Sequence, residues 1–165
     1  IDFPNADFAL IDLRKMDRVR RIVKKSGASI VLNCAVDDYN LEVTKMCLDL
    51  GVHFVDLGSE EKMLYDQMAL DKDFKEKGII GLTGLGSTPG ITNVMLRYVR
   101  PQFDTIETVH VGFTWDSNMS VFVPPFSIDA ISYEFSEPAK MLEHGEYVHK
   151  YPNEADVDYY YKSIG

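Results

Sequence analysis

Along the first hundred residues, apolar positions switch between short continuous runs and helical spacing. Phe8-Ala9-Leu10-Ile11 reads as a short strand, after which Met16, Val19, Ile22 and Val23 recur at helical spacing and Gly27 offers a helix stop. Ser29-Ile30-Val31-Leu32-Asn33-Cys34-Ala35 is a continuous run of the kind found in buried parallel strands. A helix is expected over Asn40 to Leu50, closed by Gly51, followed by a strand over His53-Phe54-Val55-Asp56-Leu57. Ser59 is the expected cap of the next helix, with Glu60 and Glu61 in its positive first turn. Lys75 and Lys77 suit that helix's negative end, Gly78 follows, and Ile79–Leu82 starts a fourth strand. Four βα units in succession imply a parallel sheet with right-handed crossovers and helices on both faces.

After Pro101 the pattern changes. Residues 106–115, Ile106 to Trp115, alternate with period two, as a half-buried strand does. Ile128 to Phe135 reads as a helix broken by Pro138. The tail with Tyr159-Tyr160-Tyr161 has no clear period. Residues after about 102 therefore read as the start of a second, partly antiparallel domain. The expected fold class is α/β: a doubly wound, Rossmann-like parallel sheet followed by a partial α+β domain.

The chain has 165 residues, 45% hydrophobic and 26% charged, an ordinary globular composition. Its net charge of −9 argues against nucleic acid or an anionic membrane as partner, since both require clustered cations. The basic cluster Arg18-Val19-Arg20-Arg21 with Lys24-Lys25 lies on an expected helix and reads as a solvated face. Cys34 and Cys47 have no C-x-x-C spacing, which favours a reducing, cytoplasmic setting. No apolar run is long enough to span a membrane. The opening Ile1-Asp2-Phe3 lacks an initiator Met, so a piece of a longer protein is expected.

In open parallel sheets, ligands bind beyond the carboxyl ends of the strands. Three loops leave those ends: Asn33–Tyr39, Asp56–Ser59 and Thr83–Gly90. In the third, Gly84-x-Gly86-x-x-x-Gly90 approaches the dinucleotide fingerprint, with Asp104 twenty residues past Gly84. However, Pro89 stands where the third glycine belongs, and three βα units precede a motif that belongs to the first. The favoured reading is a helix start, with Thr88 as N-cap, Pro89 at N1 and Gly90 at N2.

Taken together, the loops carry more than any one of them. Val31-Leu32-Asn33-Cys34-Ala35, Tyr39-Asn40-Leu41-Glu42-Val43, Gly51-Val52-His53-Phe54-Val55-Asp56-Leu57 and Gly86-Ser87-Thr88-Pro89-Gly90-Ile91-Thr92-Asn93 occur in this order. That series resembles the saccharopine dehydrogenase-like family, which includes saccharopine reductases and dehydrogenases and carboxynorspermidine dehydrogenase. The family shows a V-I-N-A strand end, a G-x-H-Y-x-D strand and a G-x-D-P-G-x-T/D-N/H loop. Phe126 to Phe135, Pro138-Ala139 and Gly145 are similar to the opening of its catalytic domain, and the likeness covers about residues 5–150.

The resemblance implies that residues 1–101 are the later βα units of a dinucleotide-binding domain. Residues 102–165 would begin a truncated substrate and dimerisation domain. It implies an NAD(P)-dependent oxidoreductase acting on the CH–NH group of a secondary amine linked to amino-acid carboxylates. The cofactor is NADP or NAD, with NADP favoured, the substrate is a small amino-acid-derived molecule, and the protein is a homodimer. By the same resemblance Asn33, Cys34, Ala35 and Val36 run along the nicotinamide, joined in cofactor binding by Gly58, Gly86, Pro89 and Gly90. Thr88, Thr92 and Asn93 fall to the substrate, and Asp56 to catalysis. The primary G-x-G-x-x-G unit does not occur in this sequence, and the family's Asp in D-P-G is Thr88.

Read from the residues alone, several of these positions keep a second meaning. Asp56 orients a substrate amine or cofactor amide, or is a turn or capping residue before Ser59. Cys34 fits a buried core thiol as well as a site residue, and Cys47 reads as core. His53 reads as a strand-edge residue, His110 lies on the face opposite Val109 and Val111, and His144 and His149 read as surface. Trp115 reads as a core or interface anchor. No spacing suggests a metal. A non-catalytic regulatory or assembly protein retaining the fold is the alternative function.

Overall fold

A computed structural model describes residues 4–112, 120–121, 123–124 and 127–154. The chain divides into two compact units, Ile1–Val111 and Gly112–Gly165. Trp115, Phe126 and Tyr159-Tyr160-Tyr161 lie outside the described residues.

The first unit is built as α1 (Met16–Ser26), β1 (Ile30–Asn33), α2 (Asn40–Leu50), β2 (His53–Asp56), α3 (Glu61–Met68), α4 (Asp71–Glu76), β3 (Gly81–Leu82) and α5 (Ile91–Val99). Short 3-10 turns precede α2 and follow α5. The strands form a parallel sheet in the order β1-β2-β3. Ile30 lies opposite His53, Asn33 opposite Asp56, and Val55 opposite Leu82. The Rossmann-like reading of the sequence holds. Gly27 and Gly51 close α1 and α2 in the left-handed conformation, as their positions imply.

One core unites the helices and the sheet. Val19 of α1, Val43, Met46 and Cys47 of α2, Phe54 of β2 and Phe74 of α4 are all buried in it. The basic residues of α1 stay solvated, with Arg20 paired to Asp49 at 2.9 Å. The expected cover on both sheet faces is not seen among the described residues. Crossovers that step in one direction, β1 to β2 to β3, lay their helices on the same side. On the opposite face, Ile30, Leu32, Ile80 and Leu82 are exposed.

Four local expectations are corrected. Phe8–Ile11 forms no strand, and Phe8 and Leu10 are each 85% exposed. An apolar run becomes a strand only where another strand supplies its hydrogen bonds. The helix after β2 is two helices, broken at Ala69-Leu70, and the restart carries Phe74 under Gly81. Its cap is Glu60 rather than Ser59, with Glu60 Oε1 and Oε2 accepting from the N–H groups of Lys62 and Met63 at 3.0 and 2.6 Å. Residues 104–112 contain no strand, so the described part of the expected Ile106–Trp115 strand is irregular.

The second unit holds α6 (Ile128–Ser136) and an antiparallel hairpin of β4 (Ala139–Glu143) and β5 (Glu146–Lys150). Ser127 caps α6, its hydroxyl accepting from Ala130 N–H at 3.1 Å, and the helix stops before Pro138 as expected. His144 and Gly145 form the hairpin turn, both at positive φ. His144 and His149 are exposed.

Candidate functional site

The three loops at the carboxyl edge of the sheet are joined from below by buried polar side chains. Asn33 ends β1, and its Nδ2 donates to Asn40 Oδ1 at 2.6 Å. Asn40 opens α2, and one turn later Thr44 donates its hydroxyl to the Asn40 carbonyl at 2.7 Å. Gln67 of α3 donates from Nε2 to Thr44 Oγ1 at 2.8 Å and to Asp56 Oδ2 at 2.6 Å. Asp56 ends β2, and its Oδ1 accepts from Gly58 N–H at 3.1 Å and Gly84 N–H at 2.9 Å. All five side chains are buried, and among the described residues no buried side-chain polar atom lacks a partner. Burial of polar groups on this scale is tolerated only when each finds its bond.

Further contacts lock the loops to each other. Leu85 N–H donates to the Asp56 carbonyl at 2.9 Å, and Ser59 N–H to Asp37 Oδ2 at 3.1 Å. A side chain at Gly58 would overlap the Asn40 amide. The Thr83–Gly90 loop folds on itself, with Ile91 N–H donating to the Gly86 carbonyl at 3.0 Å and Thr92 N–H to the Ser87 carbonyl at 3.3 Å.

That fold corrects the expected helix start. The N-cap of α5 is Gly90, not Thr88. The loop carbonyls of Gly86 and Ser87 already serve the first turn, which leaves the exposed Thr88 no role there. Asn93 Oδ1 reaches back to accept from Gly90 N–H at 3.2 Å.

The expected site residues fall into two groups. Asn33, Asp56, Gly58, Gly86, Pro89 and Gly90 form the floor, buried or half-buried, with Gly84 buried beside them. Cys34, Ala35 and Val36 rise from β1 and are exposed, as are Thr88 and Asn93, whereas Thr92 is half-buried. Val36, Leu57 and Leu85 put exposed apolar side chains on the three loops, one each. None of the three loops carries a Lys or Arg. Asp56 has both oxygens engaged within the protein, so its carboxylate holds the loops together. His53 Nδ1 accepts Ile80 N–H at 2.9 Å at the start of β2, the central strand of the sheet. Cys47 is wholly buried, and burial pushes its thiol up to about 12. Cys34, by contrast, is exposed. No group of His, Cys, Asp and Glu among the described residues is placed to hold a metal ion. No described helix is long and apolar enough to cross a membrane.

Asn40, Thr44 and Gln67 are the site residues that sequence reasoning missed. Their signal was available: Asn40 and Thr44 share a helix face with Val43 and Cys47, where polar residues need a partner.

Residues 3–82 match the family described as the saccharopine dehydrogenase NADP binding domain. Carboxyaminopropylagmatine dehydrogenase of Synechocystis is 25% identical over 100% of this chain and 44% of its own length. Carboxynorspermidine synthase of Vibrio alginolyticus is 27% identical over 58% of this chain and 26% of its own. The chain thus spans less than half the length of either relative.

Proposed function

We propose that the whole protein, whose residues 3–82 match the family described as the saccharopine dehydrogenase NADP binding domain, is an NADP-dependent oxidoreductase in which this crevice receives the nicotinamide end of the cofactor. The carrying observation is the chemistry of the three loops. They offer apolar side chains (Val36, Leu57 and Leu85), buried amides beneath, and no cation. An uncharged aromatic amide and its ribose fit such a surface, whereas pyrophosphate and a 2′-phosphate call for Arg and Lys or for free N–H groups at a helix N-terminus, and at α5 the N–H groups of Gly90, Ile91 and Thr92 are already bonded to Asn93, Gly86 and Ser87. Phosphate contacts fall to other residues.

When bound, the nicotinamide supplies the hydride. The chain's own residues orient and exclude water: Val36, Leu57 and Leu85 cover the ring, and Asp56 and Asn33 hold the loops that carry them. The names of the relatives support a polyamine-type amine as substrate. The reaction would be reduction of an imine, formed from an amine and an oxoacid, to a secondary amine bearing an amino-acid carboxylate. Asp37, Asp38 and Glu60, beside the same loops, would favour a cationic amine. A cytoplasmic homodimer is proposed on the same family reading.

The test is oxidation of NADPH by the whole protein with panels of polyamines and oxoacids. Turnover with at least one pair is expected, and its absence across the panel overturns the enzymatic reading. Titration calorimetry on residues 1–165 alone should show no micromolar NADPH binding. Such binding would restore the Gly84–Gly90 loop as a phosphate cradle.

A further inference from the structure

We propose that Gln67 is a positioning residue for the crevice: its side-chain amide, without touching the crevice surface, sets the spacing of all three loops through Asp56 and Thr44. The functional consequence rests on the nicotinamide reading above; the structural claim does not.

The proton count fixes the arrangement. A carboxylate cannot donate, so the Gln67 amide nitrogen must face Asp56 Oδ2, 2.6 Å away. Its second proton goes to Thr44 Oγ1 at 2.8 Å, and the Thr44 hydroxyl proton goes on to the Asn40 carbonyl at 2.7 Å. With Oδ2 so held, Asp56 presents Oδ1 to Gly58 N–H and Gly84 N–H together. The remaining loop is reached through Asn40, whose Oδ1 accepts from Asn33. Among the described residues Gln67 is the one side chain that bonds both to the β2 end and to α2, so removing its amide separates the two halves of the network. Buried networks of this kind act as units, and a half-satisfied network is worse than none. Gln67→Met keeps the length and removes both donors.

The experiment measures amide hydrogen exchange and steady-state kinetics on the whole protein. In Gln67→Met, exchange at Gly58 and Gly84 should speed up about tenfold or more, the scale for losing a hydrogen bond to a charged group. Phe54 N–H, bonded to the Ile80 carbonyl inside the sheet, should keep its rate. KM for NADPH should rise by a similar factor while kcat changes less than about twofold, the pattern of lost ground-state positioning. The swapped pair Asp56→Asn with Gln67→Glu restores an amide–carboxylate contact and should recover much of the loop protection.

Unchanged exchange at Gly58 and Gly84 overturns the inference. So does acceleration that includes Phe54, since that reports general destabilisation. Should Gln67→Met not fold, Thr44→Val reads the same network from its other end, and unchanged loop exchange there also overturns it. If the wild-type protein neither binds nor oxidises NADPH, the functional reading falls while the exchange data still decide the role of Gln67.

Discussion

At Gly90 the backbone takes a φ of 123°, and an added Cβ would overlap the Gly86 carbonyl and lie 2.6 Å from the Gly86 nitrogen. Only glycine combines that dihedral with that approach. Gly90→Ala should therefore destabilise the first unit by about 1–3 kcal/mol or more, measured by urea unfolding. A change under about 0.5 kcal/mol would mean the loop is not held this way. The sequence pointed to this glycine for the right loop but the wrong place. Read locally, Thr88-Pro89-Gly90 is a helix start, and nothing local shows that the carbonyls of Gly86 and Ser87 have already taken the capping role. The two cysteines give a second residue-scale prediction. Residues 1–165, folded, near pH 8 should expose one thiol to a disulfide reagent, Cys34, and unfolded two. Burial raises the Cys47 thiol from 9.0 to about 12, so the native state holds its proton where the unfolded state loses it. Stability from this group is full below pH 9 and is lost as pH rises toward 12, visible as a falling unfolding midpoint in that window. A midpoint that rises over that window would contradict the burial of Cys47.

At the scale of elements, α1, α2, β1 and β2 were legible because each carries its own periodicity and its own stop. The break between α3 and α4 was not. Ala69 and Leu70 are good helix formers, and the interruption serves a distant contact, the Phe74 ring under Gly81. The buried network was equally hidden, since the bonds of Gln67 to Asp56 and Thr44 and of Gly84 to Asp56 link residues 11 to 28 positions apart in sequence. The cap of α3 gives the prediction for this scale. Glu60 meets two N–H groups of the first turn at the helix's positive end. Glu60→Ala should lower stability by about 1 kcal/mol, whereas Ser59→Ala should leave it within about 0.5 kcal/mol, because Ser59 joins the adjoining loop through its backbone N–H. Thermal unfolding of the two variants decides between them, and the reverse order would return the cap to Ser59. Gln67 sits on the same helix, so a frayed first turn should also loosen the grip on Asp56.

For the whole molecule, the distribution of apolar side chains sets the question that the elements leave open. Parallel sheets are usually covered on both faces. Here the helical core lies on the Phe54 side, while Ile30, Leu32, Ile80 and Leu82 on the other are 57, 58, 57 and 46% exposed. The alternation in register, with Leu32 opposite Val55 and Val55 opposite Leu82, makes these side chains one continuous patch across three strands. Sequence periodicity could not reveal this, because a continuous apolar run looks the same whether one face or both are covered. An open patch of this kind attracts apolar dyes and other molecules of the same chain. Residues 1–165 alone should therefore bind anilinonaphthalene sulfonate in the native state and self-associate as concentration rises in sedimentation velocity. The double variant Leu32→Lys with Leu82→Lys should reduce both effects while changing stability by no more than about 0.5 kcal/mol per site, as for exposed positions. A loss of about 2 kcal/mol or more per site would instead place the patch in a packed core, since burying an unpaired charge costs on that scale. The size of that stability change therefore tells an open sheet face from a covered one, with the dye signal as an independent check.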